Sequence, residues 1–421
     1  MILSSITIPL AGMVDTAVVG HLDDVRYLAA VALAASLFAF LFMIFNFLRM
    51  GVTGRTAQFF GAADESAIAR TLAQGLTIAV LIGMLLIIFR QPLVELGMWV
   101  MGAPEAVSDD ARRYFFIRIY GAPFVLGTYV LTGWFIGLHK ARAVLVLLLL
   151  NNGINMALDL LFVPGMGMAV EGVALATVVA DILAFAWGCQ VAVRQEGVLR
   201  QLRRDGRLFV AGEAAQLFHL NKNLFLRTVA LMSVFTFFTA QGARQEAVVL
   251  AANAVLLNMF VLAAFGLDGF AYAAEALAGH ALGRRDLAGF GKALRLTAFW
   301  SLLQAIFIAL VFAVIGTQWI AWLTTLPEVR LAAGDYLGWV VVLPLVGVWA
   351  FWLDGVFVGA TLSRDMRDTM LLSVIGFFIA WYLLLPLRNH GLWLAMLLFF
   401  ALRGVLLAFR LRRQYPELLH R

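Results

Sequence analysis

The stretch RQEGVLRQLRRDGRLFVAGEAAQLFHLNKN, from Arg194 to Asn223, is the most polar part of an otherwise apolar chain. On each side of it, apolar runs alternate with short polar breaks, and each run approaches the roughly 20 residues that one membrane-spanning helix needs. The pattern predicts six spanning helices before this stretch and six after it. It divides the chain into an N-terminal lobe at 1–193, a cytoplasmic linker at 194–222 and a C-terminal lobe at 223–421.

The composition excludes a soluble protein. Of 421 residues, 63% are hydrophobic and 13% are charged, whereas soluble domains contain about 45–50% apolar and about 25% charged residues. The expected fold class is an all-α polytopic membrane protein with twelve transmembrane helices. The predicted helices cover 1–20, 27–50, 71–89, 113–137, 143–163, 170–193, 223–242, 247–275, 293–316, 331–360, 369–387 and 391–411.

Basic residues indicate the orientation of the chain. If the N-terminus is cytoplasmic, most Lys and Arg residues fall in cytoplasmic connections, for example Lys140, Arg142, Arg284 and Arg285. Positively charged loops stay in the cytoplasm, so we expect a multi-pass protein of the inner (plasma) membrane with both termini cytoplasmic. The same rule explains the net charge of +6 without nucleic acid as a partner.

The two halves of the sequence are related by one constant offset. It pairs Gly61, Asp64, Gly133, Phe135, Gly137 and Pro164 with Gly283, Asp286, Gly355, Phe357, Gly359 and Pro386. The match predicts a tandem duplication, and an even number of helices in each half makes the two repeats parallel. Repeats of this kind are typical of secondary transporters, in which the substrate binds between the two halves.

Motifs of enzymes and metal sites are missing from the sequence. GFGK at Gly289–Lys292 lacks the spacing and the Ser or Thr of a phosphate-binding loop, and the six His residues form no HExxH motif. We therefore predict no enzymatic activity, no cofactor and no bound metal. The energy for transport would then come from an ion gradient or from the gradient of the solute itself.

Polar side chains within the predicted spans are the candidate coupling residues, because a charge at the bilayer centre costs about 2.5–3.5 kcal/mol. Asp15 lies inside the apolar run LAGMVDTAVVGHL. Asn155 and Asp159 are four residues apart and share one helix face, and Thr177 on the next helix can join them. The structural alternative is that Asp15 bonds at a helix end and that the other residues join helices through hydrogen bonds.

Secondary candidates lie in both halves. Asp268, Glu275 and Asp354 are acids in apolar surroundings of the second half. Arg49 is a basic counterpart in the first half, as are Arg55 and Arg118. Mutual pairing of these charges is as good an explanation as a direct role in transport.

Four strings resemble the multidrug and toxic compound extrusion (MATE) family, and within it the DNA-damage-inducible F (DinF) branch. They are PLAGMVDTAVVGHL at Pro9–Leu22, NFLRMGVTGRTAQFFGA at Asn46–Ala62, LDGFAYAAEALAGHALGRR at Leu267–Arg285 and WLDGVFVGAT at Trp352–Thr361. The resemblance implies two six-helix lobes in a V around a central cleft. It also implies substrate export driven by inward flow of protons or sodium ions.

The resemblance assigns roles to individual residues. Asp15 matches the aspartate that is the proposed protonation site of the branch, and Asn155, Asp159 and Thr177 match the polar cluster of the N-terminal lobe. Asp354 matches an acid of a second cation site in other branches. The partner acid of that site is missing between Leu224 and Gly242, so the resemblance favours proton coupling.

The leading functional hypothesis is proton-coupled antiport of amphipathic or cationic organic compounds by alternating access. The partners would be small organic substrates, protons and the lipid bilayer, and a monomer is expected. The alternative is a lipid-linked oligosaccharide flippase of the same superfamily, whose cavity would hold a pyrophosphate with cationic residues. Arg49, Arg55 and Arg118 support this alternative, whereas Asp15 and Asp159 make the N-terminal cleft acidic.

Overall fold

The computed structural model describes residues 25–418 apart from residues 103, 195–196 and 207–209. Asp15 and the predicted helix at 1–20 lie outside the described residues. Every regular element in the described ranges is helical. The α-helices are α1 (Val25–Ile44), α2 (Phe47–Gly61), α3 (Glu65–Ile88), α4 (Arg90–Met101), α5 (Glu105–Arg118), α6 (Ala122–Gly137), α7 (Ala141–Leu160), α8 (Val170–Arg194), α9 (Val198–Asp205), α10 (Ala211–Ala243), α11 (Ala247–Gly283), α12 (Leu287–Leu323), α13 (Pro327–Gly359), α14 (Ser363–Leu383) and α15 (Arg388–Leu418).

Eleven helical stretches among the described residues are long and apolar enough to cross a membrane. Large apolar side chains lie on their outer surfaces. On α12, for example, Phe299, Phe307 and Val314 are 60%, 66% and 72% exposed, and so large an apolar surface is typical of a face that contacts lipid. The prediction of an all-helical polytopic protein is confirmed.

Two of the predicted spans are each divided into two helices in the structure, although each remains one stretch long and apolar enough to cross a membrane. The predicted helix at 27–50 is divided into α1 and α2 by a turn at Phe45 and Asn46. The predicted helix at 113–137 is divided into α5 and α6 by a 3₁₀ turn. Pro123 is the second residue of α6, and its lack of an amide hydrogen favours a helix start at that place. The apolar run continues across both breaks and therefore does not reveal them.

Much of the predicted linker at 194–222 is helical. It contains α9, and α10 begins at Ala211 rather than at 223. The Ala, Glu and Gln residues of this segment are strong helix formers, which explains why α10 extends beyond its apolar run. The chain divides into two compact units between Leu217 and Phe218, within α10.

Each unit contains the same helix-start motif at positions related by the sequence offset. In the first unit, the side chain of Asp64 accepts a hydrogen bond of 2.9 Å from the amide of Ala67 at the start of α3. In the second unit, Asp286 accepts one of 2.7 Å from the amide of Gly289 at the start of α12. The preceding residues have φ angles of 56° and 55°. A side-chain cap of this kind satisfies an amide that has no partner within the helix.

Glycines make the same close helix contact in both units. A Cβ atom on Gly133 of α6 would lie 2.3 Å from the carbonyl oxygen of Arg49 on α2. A Cβ on Gly355 of α13 would lie 2.3 Å from the carbonyl oxygen of Ala271 on α11. Only glycine allows these backbones to approach so closely. The shared contacts support the tandem duplication that the sequence predicts.

Candidate functional site

A ladder of polar side chains joins α7 and α8 in the first unit. Asn151 and Asn155 lie on one face of α7 because they are four residues apart. The Nδ2 group of Asn155 donates a hydrogen bond of 3.3 Å to Oγ1 of Thr177 on α8. One turn away, Nδ2 of Asn151 donates a hydrogen bond of 3.2 Å to Oδ1 of Asp181. The structure thus brings Asn155 and Thr177 into contact.

Asp159 extends the same face of α7 by one more turn. Its side chain is completely enclosed, with a residue exposure of 0%. Directly after it, the helix passes into a π-helical turn, Leu161–Gly165, that contains Pro164. Burial of a carboxylate disfavours its charged form unless other groups compensate the charge. The ladder therefore ends in a carboxyl group whose charge depends strongly on its surroundings.

Asp181 and Arg118 form a buried ion pair beside this ladder. Nη1 of Arg118 lies 2.7 Å from Oδ2 of Asp181, and the two side chains are 11% and 5% exposed. The guanidinium carbon also lies 5.6 Å and 5.5 Å from the ring centroids of Phe38 and Phe42, which adds a cation–π attraction. The structure thus gives Arg118 an acidic partner in Asp181.

Asp181 was not among the residues predicted from the sequence. The sequence does contain a pattern that indicates Asp181, because this acid lies four residues after Thr177 and inside an apolar run. An acid at that spacing shares a helix face with Thr177. Asp15, the leading candidate from the sequence, lies outside the described residues.

A cluster of three charged side chains lies within the second unit. Oδ2 of Asp354 on α13 accepts hydrogen bonds from Nη2 of Arg227 on α10 and from Nη2 of Arg403 on α15. The three side chains are 11%, 8% and 3% exposed, respectively. Oδ1 of Asp354 is also buried and accepts no hydrogen bond from the described residues. We call these residues the Arg–Asp–Arg cluster.

The other acids predicted in the second unit lie on α11. Asp268 is half-buried and interacts electrostatically with Arg403, whereas Glu275 is 2% exposed. The sequence showed no acid on the helix after Leu224, and the structure shows that this helix supplies Arg227 to Asp354 instead. Neither arginine stands out in the sequence, because each is a single basic residue in an apolar run.

The arginines of the first unit are bound by protein groups. Nε of Arg49 donates to Oδ1 of Asn46 at 3.3 Å. Arg55 donates from Nη1 to the backbone oxygen of Glu213. Arg70 donates two hydrogen bonds, of 3.0 Å and 2.8 Å, to the Glu213 carboxylate. Within the described residues, no three His, Cys, Asp or Glu side chains form a group that could hold a metal ion.

Comparisons with known proteins agree along most of the chain. The MatE family profile matches residues 1–161 and 224–385. The chain is 42% identical to the DNA damage-inducible protein F of Escherichia coli K12 over 418 residues, which covers 99% of this chain and 90% of that protein. It is 27% identical to a probable multidrug resistance protein NorM of Synechococcus, covering 71% of this chain and 66% of that protein.

The fold also matches a solved structure. A MATE crystal structure in the straight conformation superimposes with a TM-score of 0.87 at 17% identity. The match covers 99% of this chain and 94% of that one. At this level of identity, the superposition concerns the fold alone.

Proposed function

Because this chain belongs to the MATE family of membrane transporters, we propose that it exports amphipathic organic cations in exchange for protons. Export proceeds by alternating access. The main support for this proposal is the fully buried carboxyl of Asp159, which continues the polar face of α7 beyond Asn155. An intramembrane acid in such a setting is a site for reversible protonation.

The contact between Asn155 and Thr177 gives protonation a structural consequence. These side chains hydrogen-bond α7 to α8 at 3.3 Å, one turn from Asp159. Protonation converts a carboxylate that only accepts hydrogen bonds into a group that also donates one. The partners in the ladder then change, and with them the packing of α7 against α8. This is how proton uptake would alter the affinity for substrate.

The Arg–Asp–Arg cluster supports protons rather than sodium as the coupling ion. Asp354 already accepts hydrogen bonds from two guanidinium groups. A sodium ion at this carboxylate would compete with two positive charges for the same buried oxygens. The second unit thus offers a poor sodium site at Asp354.

Pairing of the arginines supports cationic substrates over the flippase alternative. A cavity for pyrophosphate needs cationic groups that can turn to the ligand. Arg118 is held by Asp181 at 2.7 Å, and Arg55 donates to the backbone at Glu213. We propose a monomer in the plasma membrane with both termini in the cytoplasm, in agreement with the distribution of basic residues.

The test is a proton-flux assay in proteoliposomes with an imposed pH gradient and a panel of organic cations. Wild type should release protons when substrate is added, and Asp159→Asn and Asp15→Asn should not. Asp109→Asn, an exposed acid of the first unit, is the matched control and should behave like wild type. Robust substrate-triggered flux in Asp159→Asn would refute the role of that residue.

Ion replacement tests the identity of the coupling ion separately. With the pH gradient fixed, exchange of Na⁺ for K⁺ should leave transport unchanged. An absolute requirement for Na⁺ would assign the coupling to sodium. The flippase alternative would be supported if the wild type released no protons with any cation and also transferred a lipid-linked oligosaccharide across the bilayer.

A further inference from the structure

A recess with charges of both signs lies in the second unit, where the connection from α10 to α11 meets the connection from α14 to α15. It has a volume of about 520 Å³. Arg244 and Glu246 of the first connection line it, together with Arg388, the first residue of α15. A ligand that fills this recess therefore meets a carboxylate as well as guanidinium groups.

Two aromatic side chains form another part of its wall, Tyr336 of α13 and Trp381 of α14. Phe237 of α10 contacts Trp381 edge to face, with 4.8 Å between the ring centroids. Trp and Tyr rings attract cations to their faces, and both residues are common at the level of the lipid headgroups. This part of the wall thus suits a positively charged group at the membrane–water interface.

The backbone holds Arg388 in a strained conformation beside the recess. Its φ and ψ angles are 49° and −124°, and this ψ lies far from the left-handed region that other residues with positive φ adopt. The next residue, Asn389, exchanges two side-chain hydrogen bonds of 2.8 Å and 3.0 Å with Asn253 of α11. A Cβ atom on Gly391 would lie 2.2 Å from the carbonyl oxygen of Leu384. Strain that surrounding contacts impose in this way is concentrated at ligand-binding sites.

The first unit shows that the repeated fold does not require these features. Met166 stands at the offset position of Arg388 and has a φ angle of −110°. The same offset places Asp159 at the position of Trp381. The strained arginine and the aromatic wall therefore belong to the second unit and need an explanation there.

An apolar stripe runs along α14 from the recess. Leu371, Ile375 and Tyr382 are 44%, 55% and 68% exposed, and separations of four and seven residues place them on one helix face. Leu385 lines the recess just beyond the end of α14 and is 45% exposed. A ligand with a charged head and a long apolar chain matches this combination of surfaces.

We propose that the recess binds the headgroup of phosphatidylethanolamine. Arg244 and Arg388 hold the phosphate through charge-assisted hydrogen bonds. The ammonium group lies against Trp381 and donates to the carboxylate of Glu246. One acyl chain follows the apolar stripe on α14.

The charges of the wall select this headgroup among common phospholipids. The trimethylammonium group of phosphatidylcholine has no hydrogen to donate to Glu246. The headgroup of phosphatidylglycerol offers this carboxylate no positive charge. The site lies in the other unit from the polar ladder and does not depend on the coupling ion.

Lipid retention by the full-length protein tests the proposal. Native mass spectrometry in detergent compares phosphatidylethanolamine, phosphatidylcholine and phosphatidylglycerol with identical acyl chains. Wild type should retain phosphatidylethanolamine in preference to both others. In Arg244→Gln/Arg388→Gln the affinity for this lipid should fall roughly thirtyfold, because each basic residue contributes to the attraction of the phosphate. Arg388→Gly removes one guanidinium group, tolerates the positive φ and should lose part of the affinity while it keeps the fold.

Glu246→Gln tests recognition of the ammonium group. The affinity for phosphatidylethanolamine should fall roughly tenfold, because a charge-assisted hydrogen bond is lost. The affinity for phosphatidylcholine should change little. Glu328→Gln, at an exposed acid of the same unit, is the matched control and should leave both affinities unchanged.

Three results would overturn the proposal. They are equal retention of the three lipids by wild type, unchanged affinity in Arg244→Gln/Arg388→Gln, and an unchanged preference for phosphatidylethanolamine over phosphatidylcholine in Glu246→Gln. Displacement of the lipid by an equal concentration of glycerophosphoethanolamine, which has no acyl chains, would assign the recess to a soluble compound instead.

Discussion

Two buried carboxylates, Asp181 and Asp354, are each held by arginine side chains that come from other helices. Removing one member of a buried ion pair leaves the other charge without compensation, and this costs more than the pair contributes. At each site, substitution of the acid therefore leaves a positive charge without compensation, and substitution of an arginine leaves a negative one.

Asp181→Asn should lower the free energy of unfolding by about 3 kcal/mol. The substitution leaves the Arg118 guanidinium buried beside a neutral amide. Combining it with Arg118→Met should recover much of the loss, because an apolar pair tolerates the buried site. Equilibrium unfolding in detergent measures both effects. A variant Asp181→Asn as stable as wild type would show that another group neutralises Arg118.

Arg227→Gln should create a sodium-responsive protein. It removes one of the two guanidinium groups at Asp354, so the carboxylate can accept an added cation in its place. We expect NaCl to raise the thermal midpoint of Arg227→Gln relative to choline chloride, and to leave the wild type unchanged. A sodium-dependent rise in the wild type would contradict this account of the Arg–Asp–Arg cluster.

At the scale of single residues, the sequence predicted which side chains belong to the candidate site but not which side chains they contact. Spacing along α7 identified Asn155 and Asp159 because one helix fixes their common face. Arg118 and Asp181 belong to different helices, and their contact depends on the tertiary packing of α5 against α8. No local pattern contains that information.

At the scale of the helices, close contact between backbones sets the distance between neighbouring helices within each unit. The Gly133 contact with the carbonyl of Arg49 joins α6 to α2, and its counterpart at Gly355 joins α13 to α11. The sequence predicted both glycines as repeat positions and predicted most of the spans. It did not predict α4, whose 12 residues are too few for a span. It also missed the breaks within apolar runs, because hydropathy does not report backbone geometry.

Gly133→Ala should destabilise the protein by about 1–3 kcal/mol. The added methyl group would lie 2.3 Å from a backbone oxygen, so α6 and α2 must move apart. Gly153→Ala on α7 is the matched control, because its Cβ would meet nothing within 4 Å. This control should be neutral or stabilising by up to about 1 kcal/mol. Similar losses in both variants would indicate that the close contact is not the cause.

At the scale of the whole chain, the segment just before the division between the two units is anchored within the first unit. Arg70 binds the carboxylate of Glu213 through two hydrogen bonds of 3.0 Å and 2.8 Å. Gln201 on α9 also donates to Glu65 at the start of α3. These contacts hold α9 and the first turns of α10 against the rest of the first unit.

Glu213→Gln should make this connection more accessible to protease. The substitution removes the charge that Arg70 binds, and local opening of the segment then costs less free energy. Trypsin should cleave after Arg200 or Arg204 roughly fivefold faster than in wild type, a change of about 1 kcal/mol. Glu246→Gln, an exposed acid of the second unit, should not change the rate. Unchanged cleavage in Glu213→Gln would show that other contacts hold the segment.

The Arg–Asp–Arg cluster also bears on the electrical behaviour of transport. Arg227 and Arg403 are covalently attached to the chain, so their charges contribute to the current only through the distance that their helices move in the membrane field. Each charge that crosses a potential of 100 mV corresponds to about 2.3 kcal/mol. In the proposed antiport, the charge carried per cycle is therefore set by substrate and coupling ion, while the positive charges beside Asp354 return to their starting point with every turnover.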